Sequence, residues 1–222
     1  MPHNQGLLPF PSISSTYRAE DFVIGSANAD AVAMLRALHQ LPAPGIFIHG
    51  AADSGKTHLL NWFAKHHNIP VFSNIPTPDA LPHIVVIDNI DSTKTTEELY
   101  ALFLETTARK IPVIAAGKQP PSLWQDKTML PDALSRLKAL STVALLPPDE
   151  ILLATLLIKL FADRQINVTP ELITYLTTRM ERSYLAATTL VTDFDAYTLQ
   201  EHKPLTIPSA RHFFAKRKPL HA

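Results

Sequence analysis

Residues 45–57, GIFIHGAADSGKT, decide how the chain is read. The apolar run GIFIH (45–49) leads directly into GAADSGKT (50–57), which fits the spacing G-x-x-x-x-G-K-[ST]. HLLNWFAKHH (58–67) then follows with the periodicity of an amphipathic helix. A strand, a glycine-bounded loop and a helix in that order place backbone N–H groups and the positive end of a helix dipole around one point, which is a phosphate cradle. Gly50, Asp53, Ser54, Gly55, Lys56, Thr57 and His58 are the cradle candidates. Lys56 is expected to reach the β and γ phosphates, and Thr57 to offer its hydroxyl to Mg²⁺. Asp53 is the discordant member, because a carboxylate beside a polyphosphate repels it by about 1 kcal/mol or more, so its side chain is expected to point outward. The plain alternative is a strand-to-helix turn that binds nothing.

Around that loop, short apolar runs alternate with helical stretches. IPVF (69–72), HIVVI (83–87), IPVIAA (111–116) and STVALL (141–146) read as strands, and 57–67, 95–109 and 130–139 as helices. Continuous apolar strands separated by helices indicate an α/β domain built on a five-stranded parallel sheet covered on both faces. Thr95 and Glu98 form a capping box, and Pro112 suits a strand's beginning better than its centre. Beyond Pro147 and Pro148 only helices are expected, at 149–164, 170–180, 183–200 and 208–217, with Asp149 and Thr169 as N-caps and Pro170 at a first helical position. The expected organisation is an N-terminal arm (1–16), an α/β domain (17–148) and a small all-helical domain (149–222), with the double proline as hinge.

The 222 residues suffice to bury roughly 70% of the unfolded surface, so a real core is attainable. With 46% apolar and 18% charged residues, neither disorder nor a membrane class fits, and no apolar run approaches a membrane span. MPHNQGLLPFPSISS lacks the basic flank and apolar run of a signal peptide, so a cytoplasmic location is expected. The absence of cysteine removes disulfides and thiolate metal sites. Lys plus Arg equals Asp plus Glu at 20 each, and a duplex-DNA reader normally carries a basic excess, so direct nucleic-acid binding is not expected. RHFFAKRK (211–218) is locally basic and reads as a last helical turn.

IVVIDNID (84–91) supplies a second element of the site. Asp88, at the end of an apolar strand, is a candidate to hold the hydration shell of Mg²⁺. Asn89 follows where a glutamate would activate water. An amide takes no proton at neutral pH, so a general-base contribution of about 10²- to 10⁴-fold is missing. The fourth strand ends in Ala115, Ala116 and Gly117 without a polar side chain to position an attacking water. Both features predict weak or absent intrinsic ATPase activity.

These motifs resemble those of the AAA+ proteins related to the bacterial replication initiator DnaA, most closely the Hda type, over nearly the whole length. By that resemblance Val23, Ile24 and Gly25 in YRAEDFVIGSANADA (17–31) would lie against an adenine base, and the helical segment would be a lid. Arg136 in LPDALSRLKAL (130–140) would be an arginine finger acting in trans, and Arg182 in MERSYLAATTLV (180–191) would face the phosphates from a lid helix. Gln5, Leu8, Pro9 and Phe10 in QGLLPF would dock on the DNA polymerase sliding clamp, although Gly6 departs from the apolar residue usual there. The joining segment SNIPTPDALP (73–82) leaves no length for the initiator's DNA-gripping insertion.

The function implied is an adaptor carrying ADP or ATP with Mg²⁺, docked on the clamp, that promotes hydrolysis of DnaA-bound ATP and so restrains initiation. A self-sufficient ATPase of the helicase-loader kind, self-associating, and a scaffold with a relic nucleotide site remain as alternatives. Ten histidines show no metal-ligand spacing, and His66 and His67 read as surface cations at a helix end.

Overall fold

The computed structural model describes residues 22–41, 44–92, 96–124 and 130–216. Its contacts divide the chain into two units. One spans Ile24–Pro148; the other holds Asp149–Ala222 and, among the described N-terminal residues, Phe22 and Val23. Thr95 of the expected capping box and the Gln5, Leu8, Pro9, Phe10 arm lie outside the described residues.

The first unit contains a parallel five-stranded sheet. Its strands are β1 (Gly45–His49), β2 (Val71–Phe72), β3 (Val85–Ile87), β4 (Val113–Gly117) and β5 (Ser141–Ala144), in the order β2-β3-β4-β1-β5. Gly45 pairs with Val113 and His49 with Gly117 across β1 and β4. A Cβ at Gly45 would stand 1.9 Å from the Val113 carbonyl oxygen, so only glycine lets the two strands begin pairing there. Pro112 precedes β4, and its carbonyl accepts the Val85 N–H at 3.0 Å. Its missing N–H lies ahead of the paired residues of β4, which begin at Val113.

Alternation sends each strand's apolar residues to both faces. Phe47, Val85, Ile87, Val113 and Ala115 form one core with Leu99, Leu102 and Phe103 of α3 (Thr96–Arg109) and Ala133 and Leu137 of α4 (Pro131–Lys138). The Trp124 ring meets Phe47 edge-on, with centroids 5.8 Å apart. Ile46, Ile48, Val86, Ile114 and Ala116, all fully buried, alternate to the opposite face. Helix α1 (Ala29–Arg36) packs on β1 and β5, and α2 (Lys56–His67) against β2. The sequence reading missed α1, which buries Ala31, Val32 and Leu35. Its signal is that i, i+1, i+4 spacing within ADAVAMLR, obscured by alanines that mark neither face strongly. Between β2 and β3 the described chain forms only a 3₁₀ turn, Pro78–Ala80, as the short joining segment dictates.

The second unit is helical: α5 (Glu150–Ala162), α6 (Pro170–Thr177), α7 (Tyr184–Gln200) and α8 (Ile207–Lys216). Asp149 accepts the Leu152 N–H at 2.7 Å, Thr169 the Leu172 N–H at 3.4 Å and Ser183 the Ala186 N–H at 3.0 Å. Each satisfies one of the donors a helix leaves unpaired at its start, typically about 1 kcal/mol per cap. Leu152, Leu156, Leu157, Leu172, Leu176, Leu190, Val191, Phe194 and Phe213 are buried. Lys216 pairs with Glu201 at 2.8 Å.

Candidate nucleotide-binding site

Residues 50–55 turn the chain from the end of β1 into α2. The Gly50 N–H donates to the Gly117 carbonyl at 3.3 Å, tying the loop's start to the end of β4. A Cβ on Gly50 would come within 2.4 Å of the Leu145 carbonyl oxygen and 2.8 Å of Ser54 Oγ, so the close approach requires glycine. Asp53 (φ 59°) and Gly55 (φ 94°) take left-handed conformations that close the turn. Asp53 is exposed, as its charge demands. Helix α2 starts at Lys56 with no side chain capping it. Its first N–H groups keep their capacity for an anion.

Lys56 is only 7% exposed. Its ammonium donates to the Gly50 and Ala51 carbonyls at 2.8 and 2.7 Å and to Ser54 Oγ at 3.4 Å. Burial foremost, and then the like charge of Lys118, lower its pKa, against the raising influence of Asp88, Asp91 and Asp53. A polyanion would relieve that destabilised charge.

Asp88 follows β3 immediately and is 5% exposed. It accepts the Thr57 hydroxyl at Oδ2 (2.6 Å) and the Asn89 N–H at Oδ1 (2.9 Å). Its own N–H donates to Phe72 at 2.9 Å, which pins it between β2 and the loop. A hydroxyl and a carboxylate in contact form an all-oxygen donor set, the kind that suits Mg²⁺ with its retained waters. The residues present therefore fit a magnesium nucleotide. Asn89 (φ 50°) is exposed and turns the chain away. His49, at the end of β1, has its pKa lowered by burial and then by Lys56.

The remaining expected residues divide. Gly25 donates its N–H to Asn28 Oδ1 at 2.9 Å, Val23 is buried and Ile24 is 45% exposed. His58 lies exposed in the first turn of α2. Arg136, partly exposed on α4, donates to Thr107 Oγ1 at 3.1 Å and lies over the Tyr100 ring at 5.8 Å, so these contacts are on α3 and not in the loop. Arg182 is not on a helix: Ser183 caps α7, which begins at Tyr184, and leaves Arg182 exposed in the preceding bend. His66 and His67 are exposed at the end of α2; the His67 ring lies tilted against Phe63, centroids 4.2 Å apart, and burial and then His83, His39 and His66 lower its pKa. The sequence reading did not single out His49, Asp91 or Lys118, which interact electrostatically with Lys56; Asp91 and Lys118, which follow β3 and β4, do so through the sheet order.

Among the described residues no group of three or more His, Asp or Glu forms a metal cluster, and no helix is long and apolar enough to cross a membrane. The sheet order, the loop between β1 and α2 and the helical segment after it make this an α/β fold, a parallel five-stranded sheet followed by helices, shared with the solved structures below. No protein-family model matches the chain. Domain III of the replication initiation protein DnaA of Thermotoga maritima is similar at TM-score 0.70 and 18% identity, over 87% of this chain and 93% of that one. AMPPCP-bound DnaA of Aquifex aeolicus aligns at TM-score 0.62 and 17% identity, over 86% and 70% of the two chains. The RuvB Holliday junction branch migration motor of Thermotoga maritima aligns at 0.61 and 13%, over 86% and 69%. At such identities the likeness is one of fold.

Proposed function

We propose that this chain is a nucleotide-holding AAA+ protein of replication initiation that acts as an adaptor. The observation that carries the reading is the meeting of Thr57 with Asp88 beside the buried Lys56. Lys56 and the N–H groups at the start of α2 would hold the phosphates of ADP or ATP, and Thr57 and Asp88 would hold Mg²⁺, which when bound neutralises phosphate charge. No base accompanies them, since Asn89 follows Asp88, so the chain holds nucleotide far better than it turns it over.

Arg136 would then act on a partner's nucleotide. An arginine supplied in trans is worth about 10³- to 10⁵-fold in phosphoryl transfer. The resemblance to the Hda type supports DnaA as that partner, and the QGLLPF segment supports docking on the sliding clamp. ATP turnover is to be measured for the chain alone, then with DnaA and DNA-loaded clamp. Slow turnover alone and stimulation abolished by Arg136→Ala are expected; brisk turnover alone would indicate a self-sufficient ATPase instead.

A further inference from the structure

Residues 202–222 contain five Lys and Arg (Lys203, Arg211, Lys216, Arg217 and Lys218) and no Asp or Glu. The rest of the chain is left with 15 cations against 20 carboxylates, so the zero net charge conceals an uneven distribution. The balance that speaks against nucleic-acid binding belongs to the whole chain and not to this segment.

Within the segment, α8 turns its cations outward. Its exposed residues are Pro208, Arg211, His212, Ala215 and Lys216. Phe213 is buried against Phe194, ring centroids 5.2 Å apart, and the half-buried Phe214 lies 6.4 Å from Tyr175. The aromatic side of α8 therefore faces the other helices. Lys203, just ahead of α8, joins Lys216: their ammonium groups lie over one ring, that of Tyr197, at 5.8 and 5.4 Å. Glu201 pairs with both, at 3.3 and 2.8 Å. The helix dipole favours cations in the last turn, which accounts for Lys216 but not for Arg211 or Lys203.

We propose that this face of α8, with Lys203, is a docking surface for the phosphate backbone of duplex DNA, engaged without regard to sequence. Cations on a rigid helix suit a row of phosphates, whose neutralisation releases condensed counterions. Among the described residues α8 exposes no aromatic ring on which an unpaired base could stack, and no large aliphatic side chain for a bilayer or a partner's pocket. The carboxylate excess elsewhere repels a polyanion and so directs its approach to this segment.

The test is fluorescence anisotropy of the full chain on a labelled duplex of arbitrary sequence over a series of salt concentrations. Binding at low salt should weaken with a log–log slope of about −2 to −3. Arg211→Glu should weaken binding about tenfold or more and leave thermal unfolding unchanged, since the side chain is exposed, while Arg211→Lys should bind like the parent. Glu201→Gln, which frees Lys203 and Lys216, should tighten binding about threefold. Four results would each overturn the assignment: no binding at low salt, unchanged affinity in Arg211→Glu, tighter binding to a single strand of the same length, or preference for phosphatidylserine-containing vesicles over the duplex.

Discussion

The Thr57 hydroxyl donates to Asp88 Oδ2 at 2.6 Å, joining residues 31 positions apart. With Asp88 only 5% exposed, removing the donor leaves a buried carboxylate short of a partner. Thr57→Val should lower stability by about 1.5–3 kcal/mol, the range for hydrogen bonds to charged groups, and remove the Mg²⁺ dependence of nucleotide affinity. Thr57→Ser should retain both. Urea melts with and without magnesium nucleotide measure this; an unchanged melt for the valine variant would show the contact to be energetically idle.

Two glycines are fixed by close approach. Gly45→Ala drives a methyl against the Val113 carbonyl, and Gly50→Ala does the same against Leu145. Each should cost about 1–3 kcal/mol or more. Only Gly50→Ala should also distort the phosphate loop. Calorimetric nucleotide titration at a temperature where both variants remain folded tells them apart.

Acidification should weaken the fold. The pKa values of His49 and His67 are lowered from 6.5, the first by burial and Lys56, the second by burial and neighbouring histidines. Below pH 6.5 the unfolded chain binds protons that the folded chain still refuses. Stability therefore falls as pH drops through that value and levels off below the folded pKa values. Thermal unfolding should show the drop, and the His49→Gln, His67→Gln double variant should flatten it.

Arg136→Ala should leave folding nearly intact. Its contacts are a hydroxyl and a ring face on a partly exposed helix, together about 1 kcal/mol or less. Stimulation of a partner's hydrolysis, by contrast, should fall about 10³-fold or more. A large loss of stability in denaturant would reassign Arg136 to a structural role.

Much of the fold was legible because its signals are local. GIFIH occupies β1 residue for residue, and the N-caps at Asp149 and Thr169 form as their side chains predict. The α/β class follows from continuous apolar strands, which only a sheet covered on both faces can bury. The helix expected at 183–200 forms as α7 behind its Ser183 cap, which leaves Arg182, carried over by resemblance, ahead of the helix. Helix α1 went unread because its alanines carry little contrast between buried and open faces.

What the sequence determined by itself is the loop, its lysine and hydroxyl, and the helix that follows, all within a stretch where neighbours in the chain are neighbours in space. Only the tertiary structure decided that Thr57 meets Asp88, that the Lys118 N–H meets Asp91, and that Arg136 rests on α3. Those relations depend on strand order, and a parallel sheet can be wound in several orders from the same run of strands and helices. The choice is made by how buried faces pack, which no single stretch of residues encodes.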